Sequence, residues 1–298
     1  MSQIDLPALR VFHEIFSTGS LSRSAQRLGV TQPAISISLG KLRRHFNDPL
    51  FVRVGNGMVP TPQAVAMHEK VLAAIAAMES ALTFRVEFDA ATTDRVFRIA
   101  MTDVGQIVLL PELLDRLAVS APRAQVEVSN ITDRTPQLLE SGDVDLVLGF
   151  TPNFPSGFYQ QALFRERFAC LCRADHPRIS RAPTLEQFQA ERHVLVVTSG
   201  TGHLIVDRRI ELLELRREVA VRIPSFLGLA TVIGHNDYLC TLPQRAADIM
   251  AQTGKVCAWD VPFDLPEYVV HQHWHERQLR DPGSRWLREL ISAMFLDH

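Results

Sequence analysis

Apolar residues recur at three- and four-residue spacing through Leu21, Ala25 and Leu28, pause at Gly29, and resume through Ile35, Leu39 and Leu42. That rhythm predicts two short helices joined by a tight turn. Ser20 and Thr31 stand where N-caps belong, and Pro33 falls in the first turn of the second helix, where a missing N–H does little harm. Gly29 tolerates the positive φ of the turn, and small Ala25 lets the helices cross closely. The outward set is then Gln32, Ser36, Lys41, Arg43 and Arg44. Short polar side chains near the start of such a helix reach base edges, while cations further along meet phosphates, so the pair reads as a helix-turn-helix. A plain helical hairpin with a solvated polar face is the competing reading.

Downstream, β-prone residues 50–54 and 58–59 flank Gly55-Asn56-Gly57, which is hairpin chemistry. A hairpin in this place is a wing, with Arg53 near a phosphate or the minor groove. Thr61-Pro62 then opens a long alanine-rich segment in which Val65, Val71, Leu72, Ile75, Met78 and Leu82 recur at helical spacing. Such a striped helix is expected to pair with its copy in a second subunit, or else to pack on its own domain.

From residue 94 the pattern alternates strand and helix. Strands are predicted at 96–101, 126–130, 144–150, 168–172, 194–198, 219–223, 238–241 and about 267–275. Helices are predicted at 106–118, 136–141, 185–190, 204–215, 227–234, 245–251 and 284–295. This is an α/β arrangement in two lobes.

Composition sharpens the division. The 298 residues are 46% apolar and 21% charged, as in a globular protein with well-buried cores. Net charge is −2, but residues 1–61 hold seven Lys/Arg against three Asp/Glu, which leaves a +4 head on a −6 body. A basic head of this kind suits nucleic acid. Neither a signal peptide nor a membrane-length apolar run is visible, so a cytoplasmic location without membrane contact is expected. Cys170, Cys172, Cys240 and Cys257 do not make a secretory disulfide framework.

In open α/β sheets ligands gather beyond the carboxyl ends of strands, where backbone N–H groups attract anions. Met101-Thr102-Asp103 and Ser199-Gly200-Thr201-Gly202-His203 are two such turns, and Arg245 after Pro243 begins another helix. Phe226 and Trp274 are candidate aromatic walls. His271, His273 and His275 alternate along a strand, which admits a zinc or copper site as an alternative. The glycine turn lacks the third Rossmann glycine and a P-loop lysine, and Ser199 lacks a G-x-S-x-G elbow. No enzyme activity and no cofactor are expected.

The segment from Leu6 through Thr61, with SRSAQRLGVTQPAIS, KLRRHFNDPLFVR and GMVPTP, resembles the winged helix-turn-helix of LysR-type transcriptional regulators. Similarity continues through FRIAMTDVG, FACLCRADHP, SGTGHLIVD, TLPQR and WHERQLRDPGSRWLREL, nearest to the branch that senses salicylate-like and nitroaromatic acids or flavonoids. Ile37 and Gly40 depart from the family pattern in the recognition helix.

The resemblance implies an α/β fold made of an N-terminal winged helix-turn-helix (1–61), a linker helix (62–92) and a C-terminal effector domain (93–298). That domain would resemble a two-lobed periplasmic binding protein, lobe I at about 93–164 and 268–298 and lobe II at about 165–267, with two crossing strands as hinge. Gln32, Pro33, Ser36, Ser38, Lys41, Arg43 and Arg53 would face DNA. Met101, Thr102, Asp103, Arg167, Gly200, Thr201, His203, Phe226, Arg245 and Trp274 would surround the effector, with Arg167 standing where aromatic-acid sensors carry histidine. Implied partners are promoter DNA, a small organic (aromatic) acid, RNA polymerase, and further copies of the chain as a homodimer through the linker helix and a homotetramer. A solute receptor without a DNA role is the remaining alternative.

Overall fold

In the computed structural model, residues 4–85, 87–151, 154–197 and 202–295 are described. The chain divides into two compact units, Met1–Arg85 and Val86–His298. In the first unit, α1 (Leu6–Thr18), α2 (Leu21–Leu28) and α3 (Gln32–Phe46) precede the antiparallel strands β1 (Phe51–Val54) and β2 (Gly57–Pro60), and α4 (Pro62–Thr83) follows. The predicted caps are in place. Ser20 Oγ accepts from Arg23 N, Thr31 Oγ1 from Ala34 N and Thr61 Oγ1 from Ala64 N.

Ile35, Leu39 and Leu42 are buried with Val11, Phe12, Ile15, Leu50 and Phe51 in one core. The two-residue turn Gly55-Asn56 closes the hairpin, with Gly55 at positive φ in its first position. Met58 N donates to Gly19 O at 2.8 Å, which ties β2 to the end of α1.

The apolar stripe of α4 splits in two. Val71 and Ile75 are buried in this unit's own core, whereas Val65, Leu72, Met78 and Leu82 are exposed. At 3.6 residues per turn the six positions span too wide an arc for a single seam, so one side of the helix packs on its own domain and the other stays exposed.

The second unit holds β3 (Val96–Met101), α5 (Asp103–Val108), α6 (Leu110–Ser120), β4 (Gln125–Ser129), α7 (Thr135–Ser141), β5 (Leu146–Gly149), β6 (Phe158–Glu166) and β7 (Phe168–Arg173). It continues with α8 (Leu185–Ala190), β8 (Arg192–Val196), α9 (His203–Leu212), β9 (Glu218–Ile223), α10 (Leu229–Gly234), β10 (Tyr238–Pro243), α11 (Gln244–Ala251), β11 (Val256–Asp260), β12 (Tyr268–His275) and α12 (Pro282–Ala293). Two five-stranded sheets result, in the orders β4-β3-β5-β12-β6 and β11-β7-β10-β8-β9. The chain passes from the first to the second where β6 meets β7, with Arg167 alone between them, and returns through β12. β6 and β12 pair antiparallel from Tyr268↔Glu166 to His275↔Phe158, with a bulge between Val270 and His271.

Two strands escape the sequence pattern. β6 is an edge strand whose middle is exposed, so FYQQALFRE lacks a clean apolar alternation, and β11 is short. The first helix of this unit also starts earlier than its apolar pattern, at Asp103 under the Thr102 cap, and breaks at Leu109 ahead of Pro111.

Buried Asp145 ties the first sheet together. It accepts from Arg98 N and Gln278 Nε2, both at 2.9 Å, and lies 3.5 Å from Arg95, which pairs with the α12 cap Asp281. Asp145→Ala leaves these donors without their acceptor and is expected to cost about 3 kcal/mol, read as a lower thermal midpoint.

His193 and His273 are buried, and burial lowers each pKa to about 4. His193 Nε2 donates to Phe188 O at 2.8 Å, and His273 Nε2 lies 2.7 Å from Thr151 Oγ1. Between about pH 6.5 and 4 the unfolded chain binds protons at these rings that the folded chain does not. Stability is therefore expected to fall as pH drops through that window, by up to about 3 kcal/mol per ring. A pH series of denaturation midpoints checks this, and a His193→Gln/His273→Gln double variant should flatten the curve.

Candidate functional site

On the first unit, Gln32, Pro33, Ser36, Lys41 and Arg44 are exposed along α3, and Ser38 is half-buried. Ser36 and Arg53 border a surface depression between α3 and the hairpin that also touches Leu21, Arg43 and Met58. The structure thus gathers the start of the recognition helix and the hairpin arginine on one surface. Arg43 is occupied differently from the expectation. Its Nε donates to Pro49 O at 2.7 Å and its Nη2 to Phe51 O at 2.6 Å, so it braces the hairpin against α3 instead of standing free for a phosphate. Ile37 is 63% exposed on the same helix, and space around Gly40 is open.

In the second unit a partly open cavity of about 30 Å³ lies beside the crossing of β6 and β12. Thr102, Gly105, Val108 and Leu109 wall it on one side, Leu148 and Gly149 at the end of β5, Phe164 and Glu166 at the end of β6, and Tyr268 and Val270 at the start of β12. Thr102 lines the cavity, with its hydroxyl oxygen accepting from Gly105 N at 3.0 Å as the helix cap.

Several other expected contacts serve elsewhere. Asp103 is buried: one carboxylate oxygen accepts from Val104 N and the other from Phe226 N of the opposite lobe. It is a bridge between lobes and does not line the cavity. Met101 is fully buried in the first lobe's core, packed under Gly105. Phe226 belongs to the second lobe's core. Trp274 lies six residues beyond Tyr268 on β12, about 20 Å along the strand, and sits under the Arg288 guanidinium at 4.4 Å. Arg167 is exposed; its backbone N–H donates to Glu166 and its carbonyl accepts from Gln244 N.

Arg245 and His203 are half-buried at the starts of α11 and α9. The Arg245 guanidinium lies 4.6 Å from the Phe164 ring centroid, over a residue of the cavity wall. Asp248, one turn further along α11, accepts from Gln244 Nε2 at 2.7 Å. Gly200 and Thr201 lie outside the described residues. Gly202, next in line, has φ +69° and faces Tyr268; a Cβ there would come within 3.3 Å of the ring.

Glu166 and Tyr268 were not foreseen. Both are buried and are opposite one another on β6 and β12. Burial raises the Glu166 carboxyl above the ordinary range; the Arg167 N–H and the charge and N–H of Arg245 oppose this. Burial and the Glu166 charge push the Tyr268 phenol well upward. The available sequence signal was an acidic residue at the junction of two strands, and it was hidden because β6 itself was not recognised.

The histidine alternative loses its geometry. His271 Nδ1 lies 3.0 Å from Val269 O, His273 bonds Thr151, and His275 Nδ1 accepts from Arg277 N. Among the described residues no group of three His, Cys, Asp or Glu side chains could hold a metal ion.

Comparison with known proteins agrees with this two-part construction. The pattern described as "Bacterial regulatory helix-turn-helix protein, lysR family" matches residues 6–65, and that described as "LysR substrate binding domain" matches residues 90–295. The HTH-type transcriptional activator NahR of Pseudomonas putida is 38% identical, covering 100% of this chain and 99% of that protein. The HTH-type transcriptional activator NagR of a Ralstonia species is 37% identical, with 99% and 98% covered. The crystal structure of the probable transcriptional regulator PA0477 from Pseudomonas aeruginosa superposes with a TM-score of 0.64 at 33% identity, covering 97% of this chain and 96% of that one. With both domain patterns matched in order and relatives aligned over the whole length, the chain belongs to the LysR family of transcriptional regulators.

Proposed function

We propose that this regulator reads promoter DNA through Gln32, Ser36 and neighbouring α3 residues, and responds to a small organic, preferably aromatic, acid held between its lobes. The observation that carries the reading is the coexistence, on one chain, of an exposed capped helix and a cavity beside the strands by which the chain crosses from one lobe to the other. A ligand that binds one arrangement of the lobes more tightly shifts the equilibrium toward it, and the change passes along the chain to the DNA-reading heads.

Thr102, His203 and Arg245 are the proposed acid contacts, with Arg245 supplying a charge-assisted clamp. Exposed Val65, Leu72, Met78 and Leu82 on α4 support pairing of two subunits within the linker region 62–92, and a closed assembly of four would place paired heads on separated half-sites. Activation by such an assembly engages RNA polymerase.

Gln32→Ala is expected to relax selection at one base position by about 1–3 kcal/mol, measured by binding-site selection from a randomised duplex pool. An unchanged site preference removes Gln32 from the reading. Arg245→Ala is expected to abolish the thermal stabilisation that substituted benzoates confer on the wild type, and stabilisation retained at the wild-type level counts against the clamp.

A further inference from the structure

Ile37 stands at the crown of α3. At 3.6 residues per turn it points roughly 165° away from the mean direction of Ile35, Leu39 and Leu42, the three residues that this helix buries. It is 63% exposed, more than any other large apolar residue described between Ile4 and Thr61. Single exposed apolar side chains are ordinary on protein surfaces, but this one has a particular setting. Pro33 precedes it by one turn, Lys41 and Arg44 follow on the same exposed side, and Ser36 beside it borders the depression that reaches Arg53 of the hairpin. Gly40 comes three residues later, inside the helix, where glycine is destabilising relative to alanine. A Cβ added there would meet nothing within 4 Å, so packing within the chain does not call for glycine. What it removes is bulk on the outer surface beside Ile37.

We infer that Ile37 is a specificity-determining residue that reads a thymine through its 5-methyl group, and that Gly40 lets the edge of the duplex come close enough for the contact. The inference rests on the reading of α3 as the DNA-contacting helix. Every base pair presents hydrogen-bond donors and acceptors in the major groove, and only thymine adds an apolar methyl group to them. Isoleucine has nothing to offer a donor or an acceptor. Set over a guanine, cytosine or adenine edge it would take water from polar atoms and leave them unpaired. Over a thymine methyl, both partners withdraw hydrocarbon from water. A β-branched side chain is already stiff at χ1, so little freedom is lost when it docks. Lys41, Arg44 and Arg53 attract the phosphates on either side, contacts that carry no sequence information of their own. The Ser36 hydroxyl, turned toward the hairpin, is left for a polar base edge.

The test uses the full-length protein and a duplex recovered by binding-site selection from a randomised pool. Each thymine is replaced in turn by deoxyuridine, which deletes the 5-methyl group and keeps the base pairing, and affinity is measured by fluorescence anisotropy. The wild type is expected to lose about fourfold at one thymine of a half-site, the scale of one buried methyl group. Ile37→Ala should bind the unmodified duplex more weakly by a similar factor and be indifferent to the deletion at that thymine. Because Ile37 is exposed, this variant is expected to melt as the wild type does. Gly40→Ala should raise the thermal midpoint and yet weaken DNA binding. A selected site without thymine, or a wild type indifferent to deoxyuridine at every thymine, overturns the proposal. So does an Ile37→Ala variant that keeps the wild-type penalty at each sensitive thymine. Wild-type DNA affinity in Gly40→Ala overturns the close approach. If Gln32→Ala, Ser36→Ala and Ile37→Ala all select the wild-type site, α3 does not read DNA and the inference falls with that reading. A site altered by Gln32→Ala, with no dependence on any thymine methyl, overturns the inference alone.

Discussion

β6 and β12 run antiparallel from one lobe into the other, and the placement of both sheets follows from their register. Tyr268 lies opposite Glu166 at the crossing, and seven residues further along His275 lies opposite Phe158. Because only Arg167 separates β6 from β7, the end of the first lobe and the start of the second form almost one continuous strand. Such a junction has little slack. A rotation between lobes must be absorbed by a few backbone torsions near Arg167 and Glu267, or by the bulge at Val270 and His271. The cavity sits directly beside that junction, so whatever fills it acts on the residues that set the lobe angle.

Charge in this region is arranged by backbone as much as by side chains. Glu166 accepts from the N–H of its own neighbour Arg167, and the Arg245 guanidinium at the start of α11 lies over Phe164. The cation therefore tempers a buried carboxylate while its planar group stacks on a wall of the cavity. Tyr268 completes the corner, with Gly202 packed against its ring at a backbone angle that side-chain-bearing residues rarely adopt. These contacts join the crossing strands to the start of α9 and the start of α11, two helices whose first turns face the same space.

Much of the first unit was legible because its signals are local. Ser20, Gly29, Thr31 and Pro33 announce helix ends through groups that act within four residues, and the hairpin turn is coded by two glycines around Asn56. The alternation of strand and helix gave the α/β class of the second unit, and Thr102 was found from its place after a strand. The misses share a cause. Met101, Phe226 and Trp274 carry the chemistry of a pocket wall and the chemistry of a core equally well, and only tertiary packing distinguishes the two. Arg43 has the charge of a phosphate ligand, but its use depends on carbonyls six and eight residues away that are aimed at it only after the chain folds back. Glu166 was invisible because an exposed edge strand leaves almost no hydrophobic period to read.

Asp103 divides its carboxylate between the Val104 N–H of its own helix and the Phe226 N–H of the facing lobe. A charge-assisted bond of this kind is worth about 1.5–3 kcal/mol, or roughly a ten- to hundredfold bias in a two-state equilibrium. It thereby sets a threshold. Any motion that draws Phe226 away from Asp103 starts against this bias, so the ease with which the lobes part is written partly in a residue outside the cavity lining.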